Sequence, residues 1–158
     1  MPDTSPMVWD QHLSAPLNAR RQLPRLAGAF FSRVREFLAA RHSPGEFHAM
    51  RLEAKHLRYT LELFRPCYPV AAMNLRLDAL KQLQDSLGAL NDAVASRKLL
   101  GRSLNRQPRL RDFLDQRAEF HAAEFARHWK KTFDTPGQEA WWTGFLAQKA
   151  RAPRKPKE

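Results

Sequence analysis

Four separate stretches of the sequence repeat their apolar residues at steps of three and four, the period of a helix face and not of a strand. The longest, Leu77, Leu80, Leu83, Leu87, Leu90 and Val94, runs in near-heptad order and predicts a helix over residues 71–103. Before it, Leu26, Phe30, Phe31, Val34, Phe37 and Leu38 predict a first helix that starts near residue 17 or 24 and ends near 41, with Pro24 either opening or kinking it. Met50, Ala54, Leu57, Leu61 and Phe64 mark a second. Its start signals are complete: Ser43 can cap, Pro44 suits the first helical position, and Glu46 falls where a capping box needs it. Pro66 and Pro69 bracket the turn that ends it near Arg65. Leu110, Leu114, Ala118, Ala122, Phe125, Trp129 and Phe133 form the fourth stripe, between a break at residues 105–108 and the pair Pro136 and Gly137. Trp141, Trp142, Phe145 and Leu146 then predict a short closing helix.

The expected fold class is therefore all-α: an antiparallel bundle of about four main helices plus a short C-terminal one. At 158 residues, 43% of them hydrophobic, the chain can bury one core and not two, so residues 16–148 form one domain. Pro2, Pro6 and Pro16 among small polar residues make residues 1–15 a flexible arm, and residues 149–158 read as a basic, disordered tail. One cysteine, Cys67, excludes a disulfide framework and the common zinc spacings, and reads as a small buried side chain. Residues 1–11 carry neither the basic nor the apolar region of a secretory leader, and no run of about 18 apolar residues occurs. The expectation is a cytoplasmic protein with no membrane partner.

Charge narrows the partners. The 27 Lys and Arg against 16 Asp and Glu leave a formal net charge of +11, which attracts polyanions: nucleic acid, an anionic membrane or a phosphate polymer. The last ten residues hold five of those cations and one carboxylate, so most of the excess belongs to the body. On a wheel of the second helix with His48 as origin, Arg51, Lys55 and Arg58 fall near 300°, 340° and 280°, within an arc of roughly 80°. The apolar stripe occupies about 160° to 240°, so the basic arc borders the packed seam. Carboxylates are nearly absent from it until Glu62, although opposite charges normally alternate on a solvated face. Gathering like charges destabilises the free protein, and an anionic ligand would relieve the repulsion.

The third helix offers a polar row of Lys81, Gln84, Asp85, Gly88 and Asp92. Lys81 is positioned to join the basic set, while Asp85, Asn91 and Asp92 could orient its cations or form plain inter-helix salt bridges. Gly88 inside a long helix costs about 1 kcal/mol against alanine, which points to close approach by another backbone or by a ligand. Arg117 and His121 on the fourth helix, and Arg20, Arg21 and Arg25 on the first, are secondary candidates for anion contact. His128 and the aromatic stripe Phe125, Trp129 and Phe133 read as core.

The run Phe47-His48-Ala49-Met50-Arg51-Leu52-Glu53-Ala54-Lys55-His56-Leu57-Arg58-Tyr59, followed by Leu61-Glu62-Leu63-Phe64, resembles the signature of the CHAD family, the conserved-histidine α-helical domain. Leu80-Lys81-Gln82-Leu83-Gln84-Asp85-Ser86-Leu87-Gly88-Ala89-Leu90-Asn91-Asp92 is similar to that family's following helix, and the resemblance spans residues 47–99. It implies a helical protein without cofactor or metal that binds inorganic polyphosphate through basic residues, associates with polyphosphate granules and is not an enzyme. By the same resemblance His48, Arg51, Lys55 and Arg58 become the binding residues. Typical members carry two copies of the helical unit about a pseudo-twofold axis, and here the motif occurs once, as in one half of a CHAD domain. Either the half-size unit binds alone or a homodimer rebuilds the pair.

Two other readings stand beside this one. A nucleic-acid binder would use the same cations, yet normally adds residues that stack on or read bases, and no reader motif stands out. A metal-dependent phosphohydrolase, or its accessory subunit, would need clustered ligands, and Asp85 and Asp92 lie about 10 Å apart along their helix.

Overall fold

Proline stands at the start of three of the five α-helices among the described residues, where its missing N–H has no intrahelical partner to lose. The computed structural model describes residues 8–40 and 44–153. Its helices are α1 (Ala15–Ala39), α2 (Pro44–Phe64), α3 (Val70–Leu100), α4 (Pro108–Thr132) and α5 (Gln138–Gln148), with 3₁₀ turns at Arg65–Cys67 and Gly101–Arg106. No strand occurs among the described residues, so the all-α expectation holds. The Ser43 cap lies outside the described residues. Pro24 neither opens nor ends α1: the helix runs through it, losing only the hydrogen bond its nitrogen cannot donate to Arg20. The α-helical part of α3 ends earlier than the predicted 103, because Gly101 adopts a positive φ of 39° and the chain tightens into a 3₁₀ turn there.

Helices adjacent in sequence pack together, α1 on α2, α2 on α3 and α3 on α4, and α5 returns to lie on α1. Short turns between consecutive helices force this antiparallel order. The buried seam contains every apolar residue of the second stripe, Met50, Ala54, Leu57, Leu61 and Phe64, together with Leu77, Leu80, Leu83, Leu87 and Leu90 of α3. At its centre Phe31 of α1 meets Trp129 at 5.2 Å, Phe133 at 5.9 Å and Trp142 at 6.2 Å between ring centroids. Phe125, Trp129 and Phe133 are buried, so the aromatic stripe of α4 is core. Such rings contribute about 0.5–1.5 kcal/mol per pair beyond the area they bury.

The two flanks of the helical body are tied to it. The Asn18 side chain is fully buried, donates to the carbonyls of Asp10 and Leu13 at 2.9 and 3.1 Å, and accepts from the Asp10 N–H at 3.0 Å. Gln22 donates to the Val8 carbonyl at 2.8 Å, and Trp9 stacks on Phe64 at 5.5 Å. At the other end Ala150 is fully buried, the Arg151 N–H donates to the Cys67 carbonyl at 2.6 Å, and Arg20 donates from Nε to the Ala150 carbonyl at 2.8 Å. Cys67 is buried as expected, and burial pushes its thiol pKa up.

A second buried group was not expected. Arg76 is 2% exposed, on the same α3 seam as Met73 and Leu80. Its guanidinium lies 3.3 Å from the Trp141 ring centroid and 3.7 Å from that of Phe145, and donates to the carbonyls of Ala72 and Trp141 at 2.9 and 2.8 Å. Burial pulls its pKa down to about 10, so it stays charged at neutral pH and clamps α5 onto α3 through aromatic faces and backbone dipoles.

Candidate functional site

The helical period of α2 places its cations along one outer face. His48, Arg51 and Lys55 are exposed, and Arg58, one turn further, leans toward α3 with its side chain 18% exposed. Tyr59 sits between two of them, its ring centroid 5.5 Å from Lys55 Nζ and 5.0 Å from Arg58 Cζ. Arg58 Nε is 3.2 Å from Glu62 Oε1, an ion-pair contact outside hydrogen-bond geometry, and the nitrogen is buried without a hydrogen-bond partner. Among the described residues, His48, Arg51, Lys55 and Lys81 make no ion pair.

Between the C-terminal half of α2 and the start of α3 lies an open groove of about 430 Å³, lined by Arg58, Glu62, Arg65, Asn74, Leu77, Asp78 and Lys81. The fold thus brings Lys81 of α3 to Arg58 of α2. His48, Arg51 and Lys55 continue the face outside the groove, toward the N-terminal half of α2. Arg65 was not expected in the set. The signal was present, since it stands seven residues after Arg58 and hence on the same side, but the turn at Pro66 concealed it.

The remaining candidates are placed elsewhere or play other parts. None of Arg20, Arg21, Arg25, Arg117 or His121 lines the groove. Arg20 is engaged with the Ala150 carbonyl, and Arg21 lies 3.8 Å from Asp10. Arg117 is exposed on α4, and the half-buried His121 ring meets that of Phe120 at 5.4 Å. Asp85 and Asp92 are exposed and Asn91 is half-buried; among the described residues no ion pair or hydrogen bond joins their side chains to the α2 cations. Gly88 is not explained by a neighbouring backbone, since a Cβ there would meet no heavy atom within 4 Å. Among the described residues no three His, Cys, Asp or Glu side chains gather as a metal site, and no helix is long and apolar enough to cross a membrane.

The family described as CHAD domain matches residues 7–101 of the 158, a stretch that begins ahead of α1 and closes where α3 ends. Neither a curated protein nor a solved structure matches the chain. More than half of the sequence lies inside the family match, including both helices that build the cationic groove, and the chain belongs to the CHAD domain family.

Proposed function

We propose that the protein binds inorganic polyphosphate, or a phosphate polyanion of similar charge density, through the α2 face, as a binding module and not as an enzyme. His48, Arg51, Lys55 and Arg58 contact the chain from α2, and Lys81 contacts it from α3. The observation that carries the reading is that Arg51 and Lys55, four residues apart and so on one face in the middle of α2, are both exposed with no ion-pair partner among the described residues. Unpaired cations in the last turn of a helix, such as Lys130 and Lys131 of α4, are accounted for by the helix dipole. Mid-helix cations lack that compensation, and an anion laid along the face supplies it. Family membership favours the same ligand.

Competition of long-chain polyphosphate against single-stranded RNA and duplex DNA at fixed ionic strength tests the proposal, because phosphate contacts of every kind weaken with salt. Polyphosphate should displace either nucleic acid from the protein; displacement of polyphosphate by RNA or DNA at equal phosphate concentration would favour the nucleic-acid reading. The same proposal has two copies turn their α2 faces to one chain as a homodimer, in the cytoplasm and at polyphosphate granules. Sedimentation with and without polyphosphate checks the dimer, and a monomer under both conditions rules it out.

A further inference from the structure

Helix α4 carries an apolar stripe left open to solvent. Leu110, Phe113 and Phe120 are 36%, 56% and 60% exposed, and Arg117 is exposed between the two phenylalanines. With Leu110 as origin of the helix wheel the four positions span about 280° to 360°, while the buried Phe125 and Trp129 fall near 60° and 100°. Rings left in water along one helix face mark an interaction surface, and aromatic residues and arginine are the types that interface centres favour. The stripe lies beyond residue 101, where the family match ends.

We propose that this face of α4 is the surface on which two copies of the chain associate. The inference rests on the homodimer put forward above and gives it an interface, one that uses none of the α2 cations. The spacing of the stripe reads the same in both directions: steps of three, four and three residues lead from Leu110 to Phe120, centred at the level of Asp115. A twofold axis crossing α4 at that level runs the two helices antiparallel. It sets Leu110 against Phe120 of the second copy, and Phe113 against Arg117.

Each position then meets the chemistry it lacks in the single chain. Leu110 packs on the Phe120 ring, and the Arg117 guanidinium lies over Phe113, whose face attracts a cation. The ends match as well. Arg109 is exposed and makes no ion pair among the described residues, and Glu124 is bonded to Arg127 of its own helix. Across the axis Arg109 and Glu124 stand about 4.5 Å apart in level, within the length of an arginine side chain. A parallel pairing would set Arg117 on Arg117 and Glu124 on Glu124, so charge selects the antiparallel one. The contact is short, and the association is therefore weak and reversible.

Sedimentation equilibrium of the full chain without polyphosphate, from micromolar to near-millimolar concentration, tests the interface on the parent, F113R and F113R/R117E. Both positions are exposed, so the variants should keep the parental circular dichroism. The parent should pass from monomer to dimer as concentration rises. F113R places an arginine against Arg117 and should weaken association by at least about tenfold, whereas adding R117E turns that layer into an ion pair and should restore it to within about threefold of the parent. A parent that stays monomeric throughout, an F113R that associates like the parent, or a double variant as weak as F113R would each overturn the inference. Polyphosphate titration of R51A/R58A separates the two levels. If that variant binds like the parent, the polyphosphate reading falls and the interface stands or falls on sedimentation alone; if it loses binding while the parent sediments as a monomer, this inference alone falls.

Discussion

Arg35 and Arg51 are both exposed arginines on the outer surface of a helix, and the protein treats them in opposite ways. Arg35 of α1 donates to Asp134 at 2.9 Å and to Glu139 at 2.5 Å, which ties α1 to the start of α5. Arg51 of α2 has no ion-pair partner among the described residues. The same division separates Arg33, paired with Glu53 at 2.9 Å, and Arg97, paired with Asp115 at 2.6 Å, from Lys55 and Lys81. Arg76 is the extreme of the first kind, enclosed by rings and carbonyls. Where a cation holds helices together the sequence supplies a partner; along α2 it supplies one, Glu62, for four cations.

Substitutions on the two sides should therefore differ in what they damage. The largest stability effect belongs to R76A, which removes a buried stem and its ring contacts and should lower unfolding free energy by about 2–4 kcal/mol. Urea denaturation reads it, and a parental midpoint would break the account of α5 docking. R35A should cost about 0.5–1 kcal/mol, less at high salt, because its pairs are solvent-exposed. R51A, with no pair to lose, should stay within about 0.5 kcal/mol of the parent in the same measurement. If R51A destabilises as much as R35A, the contrast between paired and unpaired cations fails.

Gly88 sharpens the comparison from α3. A Cβ at this position has open space, so G88A should raise stability by about 0.5–1 kcal/mol through helix propensity alone. Should polyphosphate binding fall at the same time, the open space beside Gly88 serves the ligand; unchanged binding would leave the glycine without that role.

The helices and the cationic face were legible because both are periodic. Three- and four-residue apolar steps placed α1 to α4 to within a few residues, and the same angular reading put Arg51, Lys55 and Arg58 outside the seam, where they are found. What was not legible depended on single residues or distant partners. The end of α3 turned on one glycine with a positive φ, Gly101, and periodicity does not report it. The meeting of Arg58 with Lys81 requires the register of two helices. Arg76 lay on the α3 seam, but its acceptance there depends on Trp141 and Phe145, which arrive from 65 or more residues further along. The hold on Ala150 by Arg20 is likewise invisible to a reading that sees a basic, proline-rich end.

That last contact decides how the central claim is best tested. Removing the chain after Lys149 would also remove the buried Ala150, so the truncation belongs after Pro153, beyond the contacts with Cys67 and Arg20. Polyphosphate affinity is then compared between this truncated protein and an R51A/R58A variant of the full chain, both verified as folded by circular dichroism. Fixed helix cations engage a phosphate chain without the ordering that a flexible segment must undergo at each contact. The account predicts that the double variant loses at least about tenfold in affinity, while the truncation loses no more than about threefold. A folded double variant that binds like the parent, alongside a truncated protein that no longer binds, would contradict it.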